Sequence, residues 1–130
     1  VDDSHTFFWL VGVLEGEAYF GYDKSNRSPR LEVEMKDEHV IARIAALFDK
    51  SYSRRDRRAQ NPKTSVTYRV RLGGPRALQV MKRVQPYMSP RRARAIQLVE
   101  DSYCADHKGA LDYNRIPLPP LVEVPYTLEK

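Results

Sequence analysis

Apolar and polar positions change their period several times along the chain, and each change marks an element. Residues 5–17 are apolar on every side from Phe7 to Leu14, the pattern of a buried helix rather than an amphipathic one, with Asp3 or Ser4 placed to cap it. Residues 18–24, AYFGYDK, read as a strand, and SNRSP is a turn cluster. Residues 30–36 then alternate without a fault: Leu31, Val33 and Met35 face one way, and Arg30, Glu32, Glu34 and Lys36 the other. Asp37 opens a second helix whose buried stripe is Val40, Ile41, Ile44, Leu47 and Phe48. A basic hairpin follows, with YSRRDRR, the loop AQNPKTS and the return strand VTYRVRL. In the return strand Val66, Tyr68, Val70 and Leu72 face the core, and Thr67, Arg69 and Arg71 face away. Gly73, Gly74 and Pro75 break the strand before a third helix over about 76–85, stopped by Pro86. Ser89 and Pro90 are a favoured cap and first-turn pair for a fourth helix reaching about 106. Residues 1–112 are expected to form one domain. The proline-rich residues 113–130 are expected to be an extended tail, either strapped over the core or disordered.

The charge distribution adds a partner class to this outline of helices and strands. The whole chain carries 22 Lys and Arg against 17 Asp and Glu, but residues 50–94 hold 14 of the basic side chains and one acid, Asp56. A local excess of this size points to a face meant for a polyanion. Pooled with Tyr19 and Asp23 of the first strand, the polar strand faces present Arg30, Glu32, Glu34, Lys36, Arg69 and Arg71, with Arg54, Arg55, Arg57 and Arg58 from the hairpin and Arg91 and Arg92 from the fourth helix. In the major groove of double-stranded DNA arginines donate to guanine and acids accept from cytosine, so a mixed face suits sequence reading better than bulk attraction. A solvated face of an ordinary antiparallel sheet would alternate in the same way. Cys104 is alone, and His5, His39 and His107 lack metal-ligand spacing, so neither a disulfide framework nor a zinc site is expected. The eight-residue apolar run from Phe7 to Leu14 is far too short to span a membrane, and the flanks of a signal peptide are missing. An intracellular location, in cytoplasm, nucleoid or organelle, is the expectation.

The chemistry concentrates at the end of the first helix. In WLVGVLEGEAYF two acids, Glu15 and Glu17, stand where the helix dipole already places negative charge, a position at which stability alone would favour Lys or Arg. Gly12 and Gly16 lie four apart on one face, and each costs about 1 kcal/mol against Ala inside a helix. Close approach of a second helix would offset that cost, as small residues at this spacing permit.

With Leu10, Gly12, Leu14, Glu15, Gly16 and Glu17 in place, this stretch resembles the motif of the LAGLIDADG homing endonucleases. The similarity continues through EMKDEHVIARIAALF and VMKRVQPYMSPRRARAIQL, over roughly residues 5–105. The resemblance implies an α+β, αββαββα fold whose antiparallel sheet forms a DNA-binding saddle. It implies that two copies of the motif helix pack through Gly12, Gly16, Leu10 and Val13 in a homodimer on a long, palindromic or nearly palindromic site. It also implies that Glu17 and the Gly16 carbonyl hold Mg²⁺ at the scissile phosphates, Mn²⁺ or Ca²⁺ being able to substitute for binding. Glu15 would have a quieter hydrogen-bonding job at the helix end. Two departures stand out: Ala18 replaces the usual terminal glycine, and Gly73–Gly74–Pro75 stands where the family often has a basic residue after the fourth strand. Arg71 or Arg76 is the substitute within reach in sequence, and Arg71 is taken as the second catalytic residue. The alternative to a nuclease is a DNA-binding regulator or intron maturase of the same fold with weak or no cleavage. A basic domain that only builds protein interfaces is a third.

Overall fold

The computed structural model describes residues 3–107 and 118–128. In chain order the elements are α1 (Ser4–Glu17), β1 (Ala18–Asp23), β2 (Ser28–Met35), α2 (Glu38–Phe48), β3 (Ser53–Arg55), β4 (Thr67–Gly73), α3 (Gly74–Val84), a single 3₁₀ turn (Gln85–Tyr87) and α4 (Pro90–Asp106). The four strands form one antiparallel sheet in the order β1-β2-β4-β3. Strand alternation sorts the sheet into two faces. Ala18, Phe20, Leu31, Val33, Val70 and Leu72 are buried against the helices in one continuous core with Leu10, Leu14, Ile41, Ile44, Leu78, Met81 and Ile96. The other face carries the polar side chains.

Local chemistry sets each boundary. The Asp3 carboxylate accepts from the His5 N–H at 3.2 Å and caps α1, and Asp37 caps α2 by accepting from the Val40 N–H at 3.3 Å. At the far end of α2, Asp49 adopts a left-handed conformation with φ of 54°, and the Lys50 N–H returns to the Ala45 carbonyl at 2.9 Å. Gly74 enters α3 at φ +73°, a conformation that favours glycine, and Pro75 occupies the first turn. The helix therefore begins one or two residues earlier than its sequence pattern suggests.

The hairpin differs more from expectation. Of the arginine-rich stretch only Ser53–Arg55 is strand. Asp56 accepts from the Arg58 backbone N–H at 3.0 Å and from its guanidinium at 2.9 and 2.7 Å, which folds the chain out of the ladder. These bonds hold the Asp56 carboxyl well below its usual value.

The tail lies over the helical layer as far as it is described; the proposed boundary at 112/113 lies outside the described residues. Leu118 and Leu121 are buried. The Leu121 carbonyl accepts from the Asp3 N–H at 3.1 Å, and Glu123 accepts from the Thr6 hydroxyl at 3.2 Å and from Arg43 at 2.8 Å. Arg43 in turn stacks on Trp9, 3.9 Å from the ring centroid. Of the two expectations for the tail, the strap describes residues 118–128.

Candidate nucleic-acid interface

The two acids at the end of α1 have separate fates. Glu15 reaches the start of α4, where it accepts from the Ser89 N–H at 2.6 Å and from the Ser89 hydroxyl at 3.0 Å. The Ser89 hydroxyl, expected to cap its own helix, makes no such bond; a carboxylate from another helix does the capping. Arg92 completes the exchange by donating its Nε to the Glu15 carbonyl at 3.0 Å, so the cation missing from the last turn of α1 arrives from α4. The Ser89 N–H, with the Ser89 hydroxyl and the nearby Arg92 and Arg91 charges, outweighs burial and holds the Glu15 carboxyl below its ordinary value.

A carboxyl with a depressed folded pKa contributes stability above its unfolded value, and that stability is lost as pH falls through the folded one. Glu15→Gln should therefore melt at a lower temperature than the parent at pH 7. The difference should shrink as pH falls below about 4.5, the ordinary value of this carboxyl. A pH series of thermal melts checks it.

Glu17 has no such work. Its side chain is exposed and, among the described residues, it makes no hydrogen bond or ion pair. The Gly16 carbonyl beside it is one of the last four of α1, which lack intrahelical donors. Both are hard oxygen donors, the set that suits Mg²⁺ or Ca²⁺ rather than zinc. Among the described residues no three His, Cys, Asp or Glu gather into a metal cluster.

Above Glu17, α1 leaves one apolar side uncovered. Phe8 is 51% exposed and edge-on to Tyr87, also exposed, with ring centroids 5.1 Å apart. Gly12 and Gly16 continue the stripe, and a Cβ built on either meets nothing within 4 Å. Val13 and Trp9 are half-buried beside them. Leu10 is a correction: it is 0% exposed and packs within the chain's own core, so it cannot also meet a partner, and Phe8 takes its place on the stripe. A three-to-four-residue periodicity could have found this, but a helix apolar all round hides which side stays open.

The polar sheet face is assembled by register. Tyr19 pairs with Glu32 and Glu32 with Arg71; Gly21 pairs with Arg30; Glu34 pairs with Arg69 and Arg69 with Ser53; Thr67 pairs with Arg55. The Tyr19 ring lies across Gly21, where any Cβ would collide with it, so the glycine lets an exposed aromatic lie flat on the sheet. Glu32 accepts from Arg71 Nε at 2.6 Å and sits 3.3 Å from Arg69. Glu34 accepts from the Thr67 hydroxyl at 2.6 Å and from Arg57 at 3.1 Å, with Arg55 at 3.8 Å. Burial pushes the Glu34 carboxyl up, but the Thr67 hydroxyl and the two guanidinium groups more than offset it and hold it below its usual value.

Several side chains expected on this face are committed elsewhere. Arg54 pairs with Tyr68 and so alternates to the other side of β3. Lys36 lies past the end of β2 in a bend. Asp23 is saturated by the β1–β2 turn, accepting from the Ser25 hydroxyl at 2.7 Å, its N–H at 3.1 Å, and the Asn26 amide at 2.8 Å. Arg58 is held by Asp56. Arg92 is 14% exposed and tied to Glu15, whereas Arg91 stays exposed at the start of α4. Arg76 donates to the Phe48 carbonyl at 3.1 Å, closing the end of α2, which removes it as a catalytic substitute. Arg71 remains, half-exposed, with its Nε taken by Glu32. Apart from Arg54, which alternation alone turns away, these commitments depend on a partner distant in sequence or on a turn.

No protein-family model and no curated protein matches the chain. Among solved structures it is similar to the homing endonuclease I-CvuI in complex with its target in the presence of Ca, at 16% identity over 80% of this chain and 73% of that one, with a TM-score of 0.52. A second complex of the same endonuclease, with the I-CreI target in the presence of Mg and its DNA not cleaved, matches at 16% identity over 75% and 69% with a TM-score of 0.47. With four antiparallel strands and helices gathered on one face, the chain has the α+β fold of the LAGLIDADG homing endonucleases.

Proposed function

We propose that two copies of this chain bind one DNA duplex and hydrolyse both of its strands at a specific site, with Mg²⁺ held by Glu17. The observation that carries this reading is the contrast between the two acids. Glu15 is consumed by packing, whereas Glu17 stays exposed and unpartnered at a helix end that disfavours it. A residue kept against stability at an open position belongs to function more than to fold.

The uncovered stripe of Phe8, Gly12 and Gly16 supports the pairing. A twofold axis along it would bring two copies of Glu17 and two Gly16 carbonyls towards each other as the residues that would hold the cation. A divalent cation held by these residues would supply Lewis-acid activation of water and charge stabilisation at the phosphate. The chain's own part is to supply Glu17 as a fixed anion, to keep it aligned through the Arg92–Glu15–Ser89 clasp, and to seat the duplex on the sheet through Arg30, Arg55, Arg57, Arg69 and Arg71. Mn²⁺ or Ca²⁺ would serve binding in place of Mg²⁺. Among the described residues no helix is long and apolar enough to cross a membrane.

One observation favours a second reading, a DNA-binding regulator or maturase with little cutting. β4 runs straight into Gly74 and Pro75 without a lysine, and the next arginine, Arg76, is tied to Phe48. Selection from a randomised duplex library, followed by sedimentation of the selected complex, tests what both readings share. The expected result is a site with twofold symmetry carrying two chains. One chain per duplex, or no selected sequence, would contradict it.

A further inference from the structure

The two acids of the reading face are each outnumbered by arginines, and their partners divide into an inner and an outer pair. Arg69 lies low between Glu32 and Glu34 with 16% of its side chain exposed, and Arg55 borders Glu34. Arg71 and Arg57 stand outward, at 50% and 46%. Arg71 gives its Nε to Glu32 and keeps both terminal nitrogens, while Arg57 gives one terminal nitrogen to Glu34 and keeps the other edge of its guanidinium. Each therefore retains two parallel donors, the arrangement that matches O6 and N7 of guanine. Glu34 accepts from Thr67 and Arg57 through one oxygen, Oε2, and Glu32 holds a charge-assisted bond to Arg71 through Oε1 at 2.6 Å. Glu32 and Glu34 are only 19% and 27% exposed, so the guanidinium edges of Arg71 and Arg57 stand nearer to a docked base than the carboxylates beneath them.

We propose that Glu32 and Glu34 are positioning residues that fix the free donor edges of Arg71 and Arg57 for guanine recognition, and that neither acid contacts a base. The inference rests on the DNA-reading role of the sheet proposed above. It replaces the direct acid–cytosine contact that the alternating pattern of β2 suggested. Holding a long side chain in one rotamer before binding reduces the entropy lost when the base pair docks. It also keeps the arginine from satisfying itself on phosphates, where it would carry no sequence information.

The test is base selection from a randomised duplex library with the full chain and with Arg71→Ala, Glu32→Gln, Arg57→Ala and Glu34→Gln. Arg71→Ala should lose a guanine preference at one position by about 5- to 150-fold, the worth of a bidentate pair. Glu32→Gln should lose preference at that same position and keep the others, while its affinity for pooled random DNA stays equal or rises with one negative charge removed. Glu34→Gln should do the same at the position lost in Arg57→Ala. A merely structural role would lower the melting temperature and weaken every position together, which would overturn the inference. A glutamate variant that alters a position its arginine partner leaves intact would make the acid a direct reader and also overturn it. If the parent chain selects a site and the glutamate variants select the same one, the inference falls and the DNA-reading role stands. If the parent selects nothing, both fall.

Discussion

Glu17→Gln is expected to fold, to bind the selected site with parental affinity, and to leave it uncut. Glutamine keeps the size of the side chain and removes the charge on which a metal ligand depends. Cleavage in Mg²⁺ should fall by more than about 100-fold, beyond the loss seen when only an outer partner of a metal site is removed. Affinity should persist because it comes from the arginines of the sheet, and a carboxylate that repels phosphates has gone. Stability should hold or rise by about 0.3–1 kcal/mol, since an unpartnered acid leaves the negative end of α1. Gel cleavage, a binding titration and a melt on the same preparation read all three. Full cutting by this variant would remove Glu17 from the chemistry, and a lowered melting temperature would show it to be structural.

The second large effect is expected from Gly12→Leu. Within the chain the new side chain meets open space, and leucine is a better helix former than glycine by most of about 1 kcal/mol, so the isolated fold should not suffer. Across a twofold axis it meets the partner's helix. Overpacking costs about 1–3 kcal/mol at each of the two symmetric positions, which weakens association by about 30-fold or more. Cleavage should disappear with the dimer, because each chain brings only one Glu17. Sedimentation equilibrium with and without DNA distinguishes the outcomes. A variant that associates and cuts like the parent would place the interface elsewhere on the molecule.

The sheet was largely legible before the structure because a half-buried strand writes its faces into a period of two. Glu32, Glu34, Arg69 and Arg71 share the outer face as the alternation of β2 and β4 requires. The capping residues Asp3 and Asp37 and the breaks at Pro75 and Pro86 were legible for an equally local reason, since each acts within a turn of its own position. What escaped was long-range. Nothing within three or four residues of Glu15 announces Ser89 or Arg92, yet those contacts separate a structural acid from a free one. Leu10 was misplaced because a helix with apolar residues on every side carries no moment to show which stripe stays uncovered. The arginines of the hairpin were counted correctly as charge but not as contacts. Asp56 and Glu34 claim Arg58 and Arg57 through a turn and a long-range ion pair that composition does not record.

The most direct measurement is cleavage of a supercoiled plasmid that carries the selected duplex site. With the parent chain and Mg²⁺ it should become linear, with both strands broken at one fixed position inside the site. Removing the cation with a chelator should stop the reaction while the complex survives in Ca²⁺. A plasmid that stays supercoiled while the site is fully bound in Mg²⁺ would contradict nuclease function and leave a sequence-specific DNA-binding protein of the same fold.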